Sequence, residues 1–133
     1  MNIEPATGDA RRQPPTAAQQ SAVLSKAVVR AALLLGLPQR EIAAILGVSE
    51  ATASRLFAGK YRLAPEHAKA WELARLFLRF YRSLDALWGH EASAHAWLAS
   101  PNLALGAPPA ELLRSVEGLV RVVNYLDAAR GRV

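Results

Sequence analysis

The tightest constraint on this chain is the run Gln39 to Leu56, in which a single glycine separates two short apolar patterns. Two helices that cross steeply through a short turn need a small residue at the crossing, and Ala43 supplies one. They need a turn residue that accepts a positive φ cheaply, which Gly47 is. Ser49 is a favourable N-cap for the second helix. Ile42, Leu46, Val48, Ala53 and Leu56 are apolar where the pair must pack on a preceding helix, leaving Ser49, Glu50, Ala51, Thr52, Ser54 and Arg55 outward. Short and polar outward residues suit a second helix that enters a DNA major groove, and the run has the pattern of a helix-turn-helix. A plain helical hairpin inside a bundle would use the same alanines and the same linking glycine.

Charge separates these two readings. The 133 residues carry Lys+Arg 16 against Asp+Glu 11, a net +5. Residues 1–36 hold four basic and two acidic residues, 37–82 hold eight and four, and 83–133 hold four and five. The middle is therefore +4 while the C-terminal third is −1, so the candidate motif sits in the part that attracts an anion. Two small modules with different partners would produce this division, and so would one uniform core with an uneven surface.

The rest of the chain reads as helix. Residues Met1 to Gln20 are polar and contain three prolines, which predicts a disordered arm rather than a signal peptide. Leu24, Val28, Ala31 and Leu35 recur on one helical face and predict a helix over 21–35, ended by Gly36. Pro38 suits the first turn of a helix over 39–46, and Gly59 closes a helix over 50–58. Pro65 opens a long helix reaching Trp88. A short helix near 92–99, an irregular stretch over 100–109, a turn at 111–113 and a last helix over 116–130 complete the series. The expected fold is all-α: a small helical bundle with a helix-turn-helix, a long central helix and a small helical C-terminal domain. The expected divisions are 1–20, 21–88 and 89–133.

The long helix carries Trp71, Ala74, Phe77, Leu78, Tyr81, Leu84 and Trp88 on one wide apolar face. That face covers either its own chain or a second subunit. Arg75, Arg79 and Arg82 share a stripe with Glu72, either a solvated face or a docking surface for an acidic partner. Within the helix-turn-helix, Thr52, Ser54 and Arg55 are placed to reach base edges, arginine on guanine being the commonest specific contact. Gln39, Ser49, Lys60 and Arg62 are placed to touch phosphates. Glu50 either accepts from cytosine or favours the positive helix N-terminus, and Glu41 is expected to pair locally with an arginine.

Chemistry-bearing patterns are few. The chain has no cysteine, which excludes thiolate metal sites, disulfides and cysteine nucleophiles. His90-Glu91 followed by His95 has one residue too many for a metalloprotease helix and no evident third ligand, so His67, His90 and His95 do not make a metal site. The run Gly47 to Ala51 lacks the final glycine and the preceding strand of a nucleophile elbow. No catalytic residue, cofactor or metal is expected. The uncharged run Ala92 to Ala110 contains Pro101, Gly106, Pro108 and Pro109, which would break a membrane-spanning helix. The expectation is a soluble cytoplasmic protein that is not an enzyme.

The C-terminal third carries a more specific signature. His95-Ala96-Trp97-Leu98-Ala99-Ser100-Pro101-Asn102-Leu103-Ala104-Leu105-Gly106 is followed by Pro109-Ala110-Glu111-Leu112-Leu113 and then by Glu117-Gly118 with the apolar helix to Leu126. In this order, W-L-x-S-P-N, x-L-G, P-x-E-L-L and E-G resemble the C-terminal domain of the MbcA/ParS/Xre antitoxins, over about Ser21 to Val133. Leu103 stands where the family usually has proline, and Ala107 where it usually has a second glycine.

The resemblance implies an antitoxin that covers the active site of a cognate RES-type, NAD-degrading toxin and that represses its own operon on operator DNA. It implies a homo-oligomer, expected to be a dimer. It places toxin contacts on Asn102, Leu103 and Leu105 and at the end of the last helix. Arg130, Arg132 and Val133 are added here as groups that reach a phosphate-holding cleft. Trp97, Leu98, Leu112, Leu119 and Val123 are expected in the core. The alternative is a free-standing Xre-type transcriptional regulator.

Overall fold

The computed structural model describes residues 13–89 and 91–131, and among them every regular element is an α-helix. The elements are α1 (Ala17–Leu35), α2 (Gln39–Leu46), α3 (Glu50–Phe57), α4 (Ala68–Trp88), α5 (Glu91–Ala99), α6 (Pro109–Leu112) and α7 (Val116–Gly131).

Two helix starts differ from the sequence expectation by three residues or more, each for a local reason. α1 begins at Ala17, inside the segment expected to be a disordered arm. Thr16 accepts from the Gln19 N–H at 3.1 Å while Gln19 accepts from the Thr16 N–H at 2.8 Å. This reciprocal capping box satisfies two donors the first turn would otherwise leave free. Met1 to Arg12, the remainder of that expected arm apart from residues 13–16, lie outside the described residues. α4 begins at Ala68 rather than Pro65, because Ala64 to His67 close a turn through the His67 N–H to the Ala64 carbonyl at 3.0 Å.

α4 is the axis of the molecule. Its 21 residues span about 31 Å at the α-helical rise. α1, α2, α5 and α7 all pack against it, α5 near its C-terminal end. Gly89, at φ 54°, turns the chain off α4. α5, the loop 100–108 and α6 then carry it back, so α7 runs beside α4 in the same direction. Val116 accordingly lies by Lys69 and Leu76, and Asp127 by Arg79 and Ser83.

One apolar core runs through all of this. It joins Val28 and Ala31 of α1, Ile42 and Leu46 of α2, and Leu56 of α3 to Phe77, Phe80 and Leu84 of α4. Without a break it continues into Leu98, Leu105, Leu113, Leu119, Val122, Val123 and Leu126. The four buried side chains of α7 contribute roughly 6–12 kcal/mol of gross transfer free energy, against which the entropy of ordering the segment must be set. Most of that gain requires α4 as the opposing surface, so α7 has no core of its own.

The apolar face of the long helix is thus covered by its own chain: Ala74, Phe77, Phe80 and Leu84 are fully buried, and only Trp88 stands largely open, at 44%. Of the residues expected in the C-terminal core, Leu98, Leu119 and Val123 are buried and Trp97 and Leu112 half-buried. No helix among the described residues is long and apolar enough to cross a membrane.

Candidate nucleic-acid and partner interfaces

The helix-turn-helix forms as the sequence pattern requires. Gly47 takes φ 70°, a region costly for any side chain, and the Val48 N–H closes the turn on the Ala43 carbonyl at 3.0 Å. Ala43 and Ala53 are buried at the crossing. Pro38 occupies the N-cap of α2 rather than its first turn, with extended backbone.

Ser49 caps α3, its Oγ accepting from the Thr52 N–H at 3.0 Å. The same hydroxyl donates to Thr52 Oγ1 at 2.9 Å, and Arg55 Nη2 donates to that oxygen at 3.3 Å. Ser49 and Thr52 are therefore engaged with each other, and Arg55 is held across the face of α3 with hydrogens still free. Glu50, Ser54 and Arg55 are exposed, and Thr52 is half-buried. Glu50 is in the first turn of α3, where a carboxylate complements the helix dipole. Gln39 opens α2 and is exposed. Lys60 and Arg62 follow α3 on an exposed loop fixed by the Lys60 N–H to the Arg55 carbonyl at 2.8 Å.

Glu41 does not pair locally. Its carboxylate takes Arg114 Nε at 2.7 Å and Nη2 at 3.1 Å, a bidentate pair from α2 to the corner before α7. Arg114 has no periodic or motif relation to Glu41, so no sequence signal could have found it. A second tie of the same kind joins His95 Nε2 of α5 to the Leu34 carbonyl at the end of α1, at 2.8 Å.

On the C-terminal side, the loop after α5 is locked by Asn102. Its Oδ1 accepts from the Leu105 N–H at 3.1 Å and its carbonyl from the Gly106 N–H at 2.8 Å, with Gly106 at φ 82°. Arg121 of α7 donates to the Leu105 carbonyl at 3.1 Å, and the Trp97 and Tyr125 rings stack at 6.2 Å. This bracing leaves Leu103 wholly exposed, at 101%. Leu105 corrects the expectation that its side chain faces a partner: it is 5% exposed and belongs to the core. The turn that Asn102 closes on Leu105 and Gly106 faces Leu105 inward and leaves Leu103 outward.

Arg130 folds back on its own chain, donating from Nη1 to Ser83 Oγ at 3.1 Å. Ser83 in turn donates to Asp127 Oδ1 at 2.9 Å, and Arg79 grips the other carboxylate oxygen. Burial alone would raise the Asp127 carboxyl, but the hydrogen bonds from Ser83 and Arg79 and the charges of Arg79 and Arg130 outweigh it and hold Asp127 below its ordinary range. Arg132, Val133 and the histidine at position 90 lie outside the described residues. Among the described residues, no group of three His, Cys, Asp or Glu is placed to hold a metal ion.

A polar, outward second helix, joined through the Gly47 turn to α2 within the stretch of the chain that carries +4, defines a DNA-binding protein of the helix-turn-helix class. Residues 14–79 match the antitoxin Xre-like helix-turn-helix domain, and residues 83–132 match the antitoxin Xre/MbcA/ParS C-terminal toxin-binding domain. The chain belongs to the Xre/MbcA/ParS antitoxin family, a family of antitoxins and regulators with a toxin and DNA as partners. No curated protein matches it significantly. The two matches meet inside α4, between Arg79 and Ser83, rather than at Gly89.

Proposed function

We propose that this antitoxin neutralises a RES-type, NAD-degrading toxin by covering its active site with the loop Asn102 to Gly106 and the end of α7, and that it represses its own operon through α3. The observation that supports the toxin side best is Leu103, a large apolar side chain presented in full exposure by a loop that Asn102 and Arg121 hold rigid. A preorganised anchor of this kind gains affinity because little order is lost on binding. In this proposal Arg130 exchanges Ser83 for the anionic part of the cleft, which Arg132 and Val133 also contact. On the DNA side Ser54 and Arg55 read base edges, Thr52 orients Arg55, and Gln39, Ser49, Lys60 and Arg62 touch phosphate. The working unit is a cytoplasmic homodimer, with residues 14–79 as the DNA module and 83–132 as the toxin module.

The test is co-purification of the tagged chain with the product of the adjacent gene, together with rescue from that product's toxicity. A stoichiometric partner that depletes cellular NAD when expressed alone, and whose binding Leu103→Asp weakens, supports the proposal. A chain that suppresses no toxicity and recovers only DNA overturns it in favour of a free-standing regulator.

A further inference from the structure

A groove of about 390 Å³ lies between α1 and the end of α3. Its floor is apolar: Val29 and Leu33 from α1, Leu56 and Phe57 from α3. Leu33 is 65% exposed on a helix whose neighbouring apolar residues Ala32 and Leu35 are buried. Every charged residue on its rim is a cation, namely Lys26, Arg30 and Arg62. The two ion pairs among the described residues, Arg79–Asp127 and Arg114–Glu41, use none of the three.

These features select an occupant. DNA phosphates would satisfy the rim but leave the leucine and phenylalanine floor facing water. A second copy seated groove to groove would bring six cations together without an acid among the lining residues. What matches both floor and rim is an apolar ridge flanked by carboxylates. We propose that this groove docks an acidic amphipathic helix of a partner protein, its apolar face on Leu33 and Phe57 and its carboxylates on Lys26, Arg30 and Arg62. Arg62 is also one of the residues assigned to DNA phosphate. Resting on the DNA reading above, the docked helix and DNA phosphates compete for Arg62, so an acidic partner lowers DNA affinity without touching α3's outward face.

The probe is a labelled helical peptide of about four turns with leucine at i, i+3, i+4 and i+7 and glutamate elsewhere, titrated into the full chain by fluorescence anisotropy. Its counterpart carries lysine for glutamate. The expected result is saturable binding of the glutamate peptide and none of the lysine peptide. Leu33→Glu and Arg30→Glu should each weaken it by about tenfold or more. Both sites are exposed, and an unchanged circular dichroism melt confirms that the variants fold. Equal binding of both peptides, or binding that neither substitution weakens, overturns the proposal. So does a self-associated chain that Leu33→Glu dissociates, since a second copy would then fill the groove. Random-sequence duplex DNA at low salt should displace the glutamate peptide from wild type. Peptide binding that duplex DNA leaves untouched overturns the shared use of Arg62, while docking stands on the peptide result alone.

Discussion

Arg114 holds Glu41 by two parallel hydrogen bonds, 2.7 and 3.1 Å long, across 73 positions of sequence. The pair joins the first helix of the helix-turn-helix to the corner from which α7 starts. A fork-to-fork geometry fixes orientation as well as distance, which a single contact between exposed side chains would not. Glu41→Gln and Arg114→Met should each loosen the corner, and the double variant should be no less stable than the worse single one. A double-mutant cycle in urea at low salt measures the coupling, which rising salt should shrink. Additive effects would mean that the two side chains stabilise the fold independently.

Gly118 is the most sterically constrained glycine among the described residues. A Cβ there would stand 2.1 Å from the Leu112 carbonyl oxygen, because α7 begins tightly against the end of α6 and Ser115 caps it through the Gly118 N–H at 3.0 Å. Gly118→Ala must push two backbones apart and should cost at least ~1–3 kcal/mol, the usual penalty of overpacking. Gly131, whose added Cβ would meet nothing within 4 Å, is the control. Its alanine variant should unfold at nearly the wild-type denaturant midpoint.

Legibility followed locality. The helix-turn-helix is readable because each requirement falls on one residue at a fixed spacing: Ala43 at the crossing, Gly47 at the turn, Ser49 at the cap. The E-G signature at Glu117-Gly118 is likewise local, and the close approach to Leu112 gives its physical reason. The Thr16–Gln19 capping box was legible too, as T-x-x-Q before an apolar run, although the prolines before it point to an arm. What the sequence conceals is long-range: Glu41 with Arg114, His95 with Leu34, and Ser83 with Asp127 and Arg130. These depend on the direction of α7 along α4, which no spacing encodes. The division at Gly89 rests on a helix end that is local and present, yet α4 and its core serve both halves.

Arg55 and Lys60 lie five residues apart and should behave differently on DNA. Arg55 is held over the outward face of α3 by Thr52 Oγ1 at 3.3 Å, whereas Lys60 sits beyond the helix on an exposed loop. Arg55→Ala should weaken specific operator binding by ~1–3 kcal/mol and relax discrimination at one position. Lys60→Ala should weaken binding to all sequences alike and reduce the salt slope by about 1. Anisotropy titrations on operator and random duplex at several salt concentrations separate the two. Unchanged operator affinity in both variants would move the recognition helix away from α3.

Asp127 makes the α4–α7 seam sensitive to acid. Ser83 and Arg79 hydrogen-bond its carboxylate, and Arg79 and Arg130 add their charge, so its folded pKa lies below the unfolded value of about 4. A depressed carboxylate contributes stability that is complete above the unfolded pKa and is lost as pH falls through the folded one. Asp127→Asn removes that contribution. Wild type should therefore exceed the variant in unfolding free energy near neutral pH, and the two curves should converge as pH falls below about 4. Arg130→Ala should narrow the gap, because one of the charges that depress Asp127 is gone. Urea titrations between about pH 7 and 3 provide the measurement. A gap that stays constant over that range would mean the asparagine variant loses packing rather than charge, and that α7 is held to α4 by its apolar face alone.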